Sequence, residues 1–180
     1  MLYRPVLIPK IIRKEKTETR RLVREYERFN TRPGRGPVGA IVNDETQRTR
    51  FEIGKNYAVQ PGRGKPGIYY KLLPMNCYSF FDFSGVASSN IESVRKDAID
   101  SGHEPLRILI NDIKKEKLQE ITEAGAKREG FESKREFLEY FYHLTGYLKK
   151  EETLASKLLE DRELHMPNPE VWVLIFEVVK

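Results

Sequence analysis

The sequence predicts an α+β fold, a small β-barrel with flanking helices, on three observations. The run Lys10 to Arg21 (KIIRKEKTETRR) is β-branched and charged and cannot bury both faces. It therefore reads as a short strand or strand entry that turns polar groups into a cleft. Val171 to Val179 is β-rich and apolar on both faces, as in a strand covered on both sides rather than an edge. Between them lie helical runs with start and stop signals of their own. Short strands at both ends with helices between suggest α+β, with a small barrel as the arrangement.

Taken in order, Val6, Leu7, Ile8, Ile11 and Ile12 cover one side of a short helix from about Pro5 to Lys14, with Pro9 accepted only in its first turn. The KTETRR strand follows, with Thr19 and Arg21 on one face. Leu22 to Phe29 fits either state, and NTRPGRGPVG is loop. Arg50 to Gln60 alternates around Gly54, as a strand pair or a turn into a strand does. Pro61-Gly62-Arg63-Gly64 repeats Pro33-Gly34-Arg35-Gly36, and glycines flanking an Arg let backbone N–H groups and a guanidinium meet an anion together. Because no helix start or Walker pattern follows either loop, two unrelated tight turns with an exposed Arg are the favoured reading.

Ile68 to Pro105 gathers Tyr69, Tyr70, Tyr78, Phe80, Phe81 and Phe83, then a Ser88-Ser89-Asn90 cap and a helical IESVRKDAID. Aromatics beside a basic surface can stack bases, but more often such residues are the core of an inserted hairpin, the reading favoured for this segment. Leu106 to Ile113 alternates as a strand. Thr122 caps and Gly130 ends a charged stretch from Lys115 to Phe131. Ser133 to Glu136 has the capping-box pattern and opens a helix bearing Phe137, Leu138, Phe141 and Leu144 on one face, ended by Gly146. Glu151 to Arg162 can form another helix, and Pro167 and Pro169 close the helical region.

The 180 residues suit a single domain, with a heavily charged surface. Residues 1–36 hold eleven Lys or Arg against four Glu, so the basic surplus sits at one end, the footprint of phosphate-rich partners or simply of a solvated surface. The longest apolar run, WVLIF, is too short to cross a bilayer, and no membrane association is expected. Arg4, Lys10, Arg13 and Lys14 interrupt any secretory signal, so the expected location is the cytoplasm. Cys77 is the single cysteine, which excludes an intramolecular disulfide and a multi-cysteine zinc site. His103, His143 and His165 lack an i, i+4 pair, so no metal and no cofactor is expected.

Four stretches, KEKTETRR at 14–21, GKNYAVQPGRGK at 54–65, ILINDIKKEKLQEITEAGAKREGF at 108–131 and EVWVLIFEVV at 170–179, resemble in order and spacing the ASCH domain, the activating-signal-cointegrator homology domain of the PUA-like barrels. The family signature runs Gly, any, Lys, two any, Glu or Thr, any, Arg. Lys16, Thr19 and Arg21 match it, and Lys14 stands in place of the usual Gly. The resemblance implies a PUA-like barrel over 1–180 that binds RNA or a nucleotide in its cleft. It also marks about 68–105 as an insertion without counterpart in compact members, able to cap the cleft or to supply a surface for a protein partner. One branch of the family is similar to a bacterial amidohydrolase that deacetylates N-acetylated cytidine with Lys, Thr and Glu. By motif these are Lys16, Thr19 and, within AKREGF, Glu129.

Two chemistries follow from that carry-over. As a hydrolase, Lys16, its pKa lowered by burial beside Arg21, would act as general base toward the Thr19 hydroxyl, with Glu129 managing the proton on the leaving amine. As a binding module, Lys16, Arg21, Arg63 and Lys65 would be the cationic contacts to RNA or to a nucleotide or nucleoside. A structural ion pair between Lys16 and Glu129, with Thr19 packed beside it, is the alternative to both. A third class, a protein-interaction module, would rest on an exposed apolar patch in the insertion.

Overall fold

The computed structural model describes residues 3, 5–33, 37–61, 66–83, 90–149, 151–156 and 166–179. Its centre is β10 (Glu170–Val179), whose apolar residues are buried on both faces. β10 pairs antiparallel with β9 (Arg107–Lys117) on one side and with β1 (Glu18–Leu22) on the other. β5 (Asn56–Ala58) completes the sheet in the order β1-β10-β9-β5, with a bulge in β10 between Ile175 and Phe176. A second sheet runs β2-β3-β4 (Glu27–Asn30, Ala40–Asn43, Thr49–Glu52). A third, β7-β6-β8, joins Tyr78–Phe80, Tyr69–Leu72 and Glu104–Pro105.

The fold is therefore α+β. Among the described residues the ladders form three open sheets, and no closed ring joins them. The chain leaves the line of β1 after Val23, whose N–H still bonds to Glu170 O, and β2 then pairs with β3 rather than extending the main sheet.

Alternation along β10 sorts the core into layers. Val171 and Val173 face Leu118, Phe137 and Phe141. Trp172 and Leu174 face the opposite way, onto Ile41 and Phe51 of the second sheet. Tyr3 and Ile8, Ile11 and Ile12 close the end of the sheet over Leu106, Ile108 and Phe176.

The expected N-terminal helix is a 3₁₀ turn (Pro5–Leu7) followed by α1 (Ile8–Ile12). IESVRKDAID forms α2 (Ile91–Asp100), although the Asn90 side chain makes no capping bond. The aromatic insertion is a hairpin, β6 with β7, in which Tyr70 packs on Tyr78 while Leu72, Met75 and Phe80 stay exposed. α3 (Glu123–Arg128) is capped by Thr122, whose Oγ1 accepts from the Gly125 N–H at 3.0 Å. α4 (Lys134–Thr145) is capped by Ser133 and ends at Gly146, φ +80°.

The capping box at 133–136 is only half formed. Glu136 accepts from the N–H of Glu132 rather than from that of Ser133. On α4, Phe137 and Phe141 are buried as expected and Leu144 is exposed. Ser88, Ser89, Gly34 to Gly36, His165 and residues 157–162 of the helix expected at 151–162 lie outside the described residues.

Candidate functional site

β1 is an edge strand, and the site is built around its open edge. In an antiparallel pair, alternate residues turn both N–H and C=O toward the partner. Here the odd-numbered residues do so: Val23 N–H donates to Glu170 O at 3.1 Å, and Phe176 N–H donates to Thr17 O at 2.9 Å. Glu18, Arg20 and Leu22 consequently direct their backbone polar groups outward. A cleft of about 560 Å³ runs along this edge. Tyr3, Thr19, Arg21 and Arg50 line it from one side of the strand, and Phe137, Tyr140 and Phe141 from the side of α4.

The turn that delivers Lys16 to the cleft is set by Lys14, whose φ of +62° is the left-handed conformation that favours glycine. The N–H groups of Glu15 and Lys16 both donate to Lys10 O, at 2.9 and 3.1 Å. Lys14 thus holds the conformation that the signature's Gly would adopt more easily.

The Lys16 side chain, 1% exposed, then spends all three ammonium protons. It donates to Glu18 O at 2.7 Å, to Glu129 O at 2.8 Å and to Glu129 Oε2 at 2.5 Å. Glu129, 3% exposed, directly follows α3, and Thr17 N–H donates to Arg128 O at 2.8 Å, tying the strand entry to the end of that helix.

Around this pair lies a buried charge network. Arg20 donates from Nε to Glu116 Oε1 at 2.7 Å and from Nη1 to Glu18 Oε2 and Glu129 Oε1, both at 3.3 Å. Arg128 Nε donates to the other Glu18 oxygen. Burial pulls the Lys16 pKa down, with Arg21 and Arg20 acting in the same direction and Glu129 opposing them. Two carbonyls and a carboxylate around one nitrogen suit the ammonium form.

Tyr3 is buried on the other side of Thr19, and the two side chains share a hydrogen bond. Burial raises the Tyr3 hydroxyl well above its usual range, with Glu129 adding to the effect and Arg21 opposing it. The ring also lies under two cations, Arg21 Cζ at 5.4 Å and Lys16 Nζ at 5.7 Å from its centroid.

Of the residues expected from the sequence, Lys16, Thr19, Arg21 and Glu129 come together in this one cleft. Arg63 and Lys65 lie outside the described residues. The ion pair between Lys16 and Glu129 is present, and Thr19 bonds to Tyr3. Sequence reasoning missed Tyr3, Arg20, Arg50 and the aromatic wall of α4. Alternation places Arg20 on the face of β1 opposite Thr19, and only its contacts with Glu116 and Glu129, far along the chain, turn that face into part of the site.

No family model matches the chain, and a search of curated proteins finds no match. Among solved structures the chain is similar to protein EF3133 from Enterococcus faecalis V583, described under the family model DUF984. That similarity has 14% identity and a TM-score of 0.41, and it covers 94% of this chain and 64% of that one. The chain thus spans less than two thirds of that neighbour. Among the described residues no helix is long and apolar enough to cross a membrane, and no three His, Cys, Asp or Glu are grouped to hold a metal ion.

Proposed function

We propose that this chain is an ASCH-type, PUA-like module that binds RNA or a nucleotide, with a base seated in the cleft beside β1. The observation that carries this reading is the cleft itself. Its volume of about 560 Å³ suits a nucleoside-sized ligand, and it joins an aromatic wall on α4 to the stacked pair Arg21 and Tyr3. Five basic side chains line it against one carboxylate, Glu129, which is already engaged by Lys16 and Arg20. The glycine-like turn at Lys14 and the meeting of Lys16, Thr19 and Arg21 in one place support the resemblance to the signature. On this reading the main sheet and β2-β3-β4, packed through Trp172 and Phe51, are two halves of a PUA-like barrel.

The test is a calorimetric titration of short single-stranded RNA. Affinity should fall steeply, by about tenfold per released counterion for a tenfold rise in salt. Arg21→Ala should bind more weakly and with a shallower slope. Affinity that stays flat with salt overturns phosphate contact.

A second reading, hydrolysis of an N-acylated nucleoside such as acetylcytidine, is favoured by the convergence of Lys16, Thr19 and Glu129. Lys16 would pass a proton to Glu129 Oε2, take the Thr19 proton as the hydroxyl attacks the amide carbonyl, and leave Glu129 to protonate the departing amine, after which water would cleave the acyl-Thr19 ester to the carboxylic acid and restore the hydroxyl. Cytidine release by the wild type that is lost in both Lys16→Ala and Thr19→Ala supports this mechanism. Equal release by wild type and Thr19→Ala removes Thr19 as nucleophile.

A further inference from the structure

The open edge of β1 carries a chemical asymmetry that the charge network creates. Its three outward carbonyls are each taken by a cationic side chain. Lys16 Nζ donates to Glu18 O at 2.7 Å, Arg21 Nη1 to Arg20 O at 3.0 Å, and Arg50 Nη1 to Leu22 O at 3.1 Å. Strand edges ordinarily alternate donors and acceptors. This one keeps its donors, the N–H groups of Arg20 and Leu22, beside cations that already cover its acceptors.

The nearby carboxylates do not cancel that character. Glu129 is held by Lys16 and Arg20, and Glu27 accepts from Arg50 and from the Trp172 indole. Across the network, six basic residues (Lys16, Arg20, Arg21, Arg24, Arg50 and Arg128) stand against four carboxylates (Glu18, Glu27, Glu116 and Glu129). A ligand lying along this edge meets donors and positive charge, so it must present acceptors and negative charge.

We infer that the edge of β1 is a phosphate site, in which the N–H groups of Arg20 and Leu22 and the guanidinium groups of Arg21 and Arg50 hold a phosphate oxygen of the ligand whose base fills the cleft. This assignment rests on the nucleotide-binding reading and deepens it, because it makes the ligand a phosphorylated one. The phosphate is either a terminal monoester of a free nucleotide or a diester within an RNA strand.

The experiment titrates the full chain with inorganic phosphate, with each of four nucleosides, with their 5′-monophosphates, and with trinucleotides that lack a terminal phosphate. A monophosphate should bind at least about tenfold more tightly than its nucleoside, the scale of one charge-assisted hydrogen bond. Leu22→Pro deletes a single outward N–H on an edge strand and breaks no ladder bond, so it should close that gap while Leu22→Ala preserves it.

Equal binding of nucleoside and monophosphate by the wild type overturns the phosphate site and leaves the base-binding reading standing, whatever the fate of the proline variant. Inorganic phosphate that binds as tightly as any nucleotide keeps the site and overturns the base-binding reading. Absence of binding by every ligand overturns both. Given the gap, a trinucleotide as tight as the monophosphate assigns the site to a strand diester, and one no tighter than a nucleoside assigns it to a terminal monoester.

Discussion

Lys16 shows how much of a site a single side chain can organise. Its three donated bonds join the β1 edge to the residue that follows α3, so removing one partner leaves a charge buried without its counterion. Glu129→Gln should therefore lower the unfolding free energy by about 3 kcal/mol, measured by urea titration. The double change Lys16→Met with Glu129→Leu should recover most of that loss, because a well-packed apolar pair replaces the ionic one. Lys16, Thr19 and Arg21 were legible in the sequence because they fall on one short motif, and Glu129 because it lies within a second, AKREGF. Tyr3 and Arg20 were not, since their roles come from contacts that local periodicity does not encode. Arg20 sits 96 residues from Glu116 and 109 from Glu129.

Elements matter here as carriers. α3 is only six residues long, and its Thr122 cap satisfies one of the few backbone donors at its start. Thr122→Ala should cost about 1 kcal/mol in a urea titration. Because Glu129 directly follows this helix, the proposed nucleotide binding should weaken in the same variant. The caps at Thr122 and Ser133 and the stops at Gly130 and Gly146 were readable, as were α2 and the doubly covered strand β10. The strand expected to end at Ile113 instead runs to Lys117. Its Lys115-Glu116-Lys117 tail reads in the sequence as the opening of the charged stretch that runs to Phe131. In the fold it pairs with Glu170 to Trp172, where long side chains tolerate a strand with exposed positions.

At the scale of the whole molecule, buried and half-buried phenols set the response to alkali. Tyr3, Tyr57, Tyr70 and Tyr142 are all raised above the ordinary value of 10.0, in each case chiefly by burial. Near pH 10 the unfolded chain loses these protons while the folded chain keeps them. Their contribution is thus complete below pH 10 and is lost as pH climbs toward the folded values. Melting temperatures should fall between about pH 9 and about pH 11, and less in Tyr3→Phe than in the wild type. Lys16, whose pKa is lowered, acts with the opposite sign below its ordinary 10.5, and comparing the two proteins cancels that term. The α+β class was readable from the order of strands and helices. The split into separate sheets was not, because strand pairing is decided by which edges remain available. The occupied carbonyls of β1 bear on this molecule's own neighbours as well. A second chain seeking to extend the sheet would need Glu18, Arg20 and Leu22 as acceptors and would find each already engaged by Lys16, Arg21 or Arg50. The cations that occupy these carbonyls thereby guard the edge against strand-by-strand aggregation.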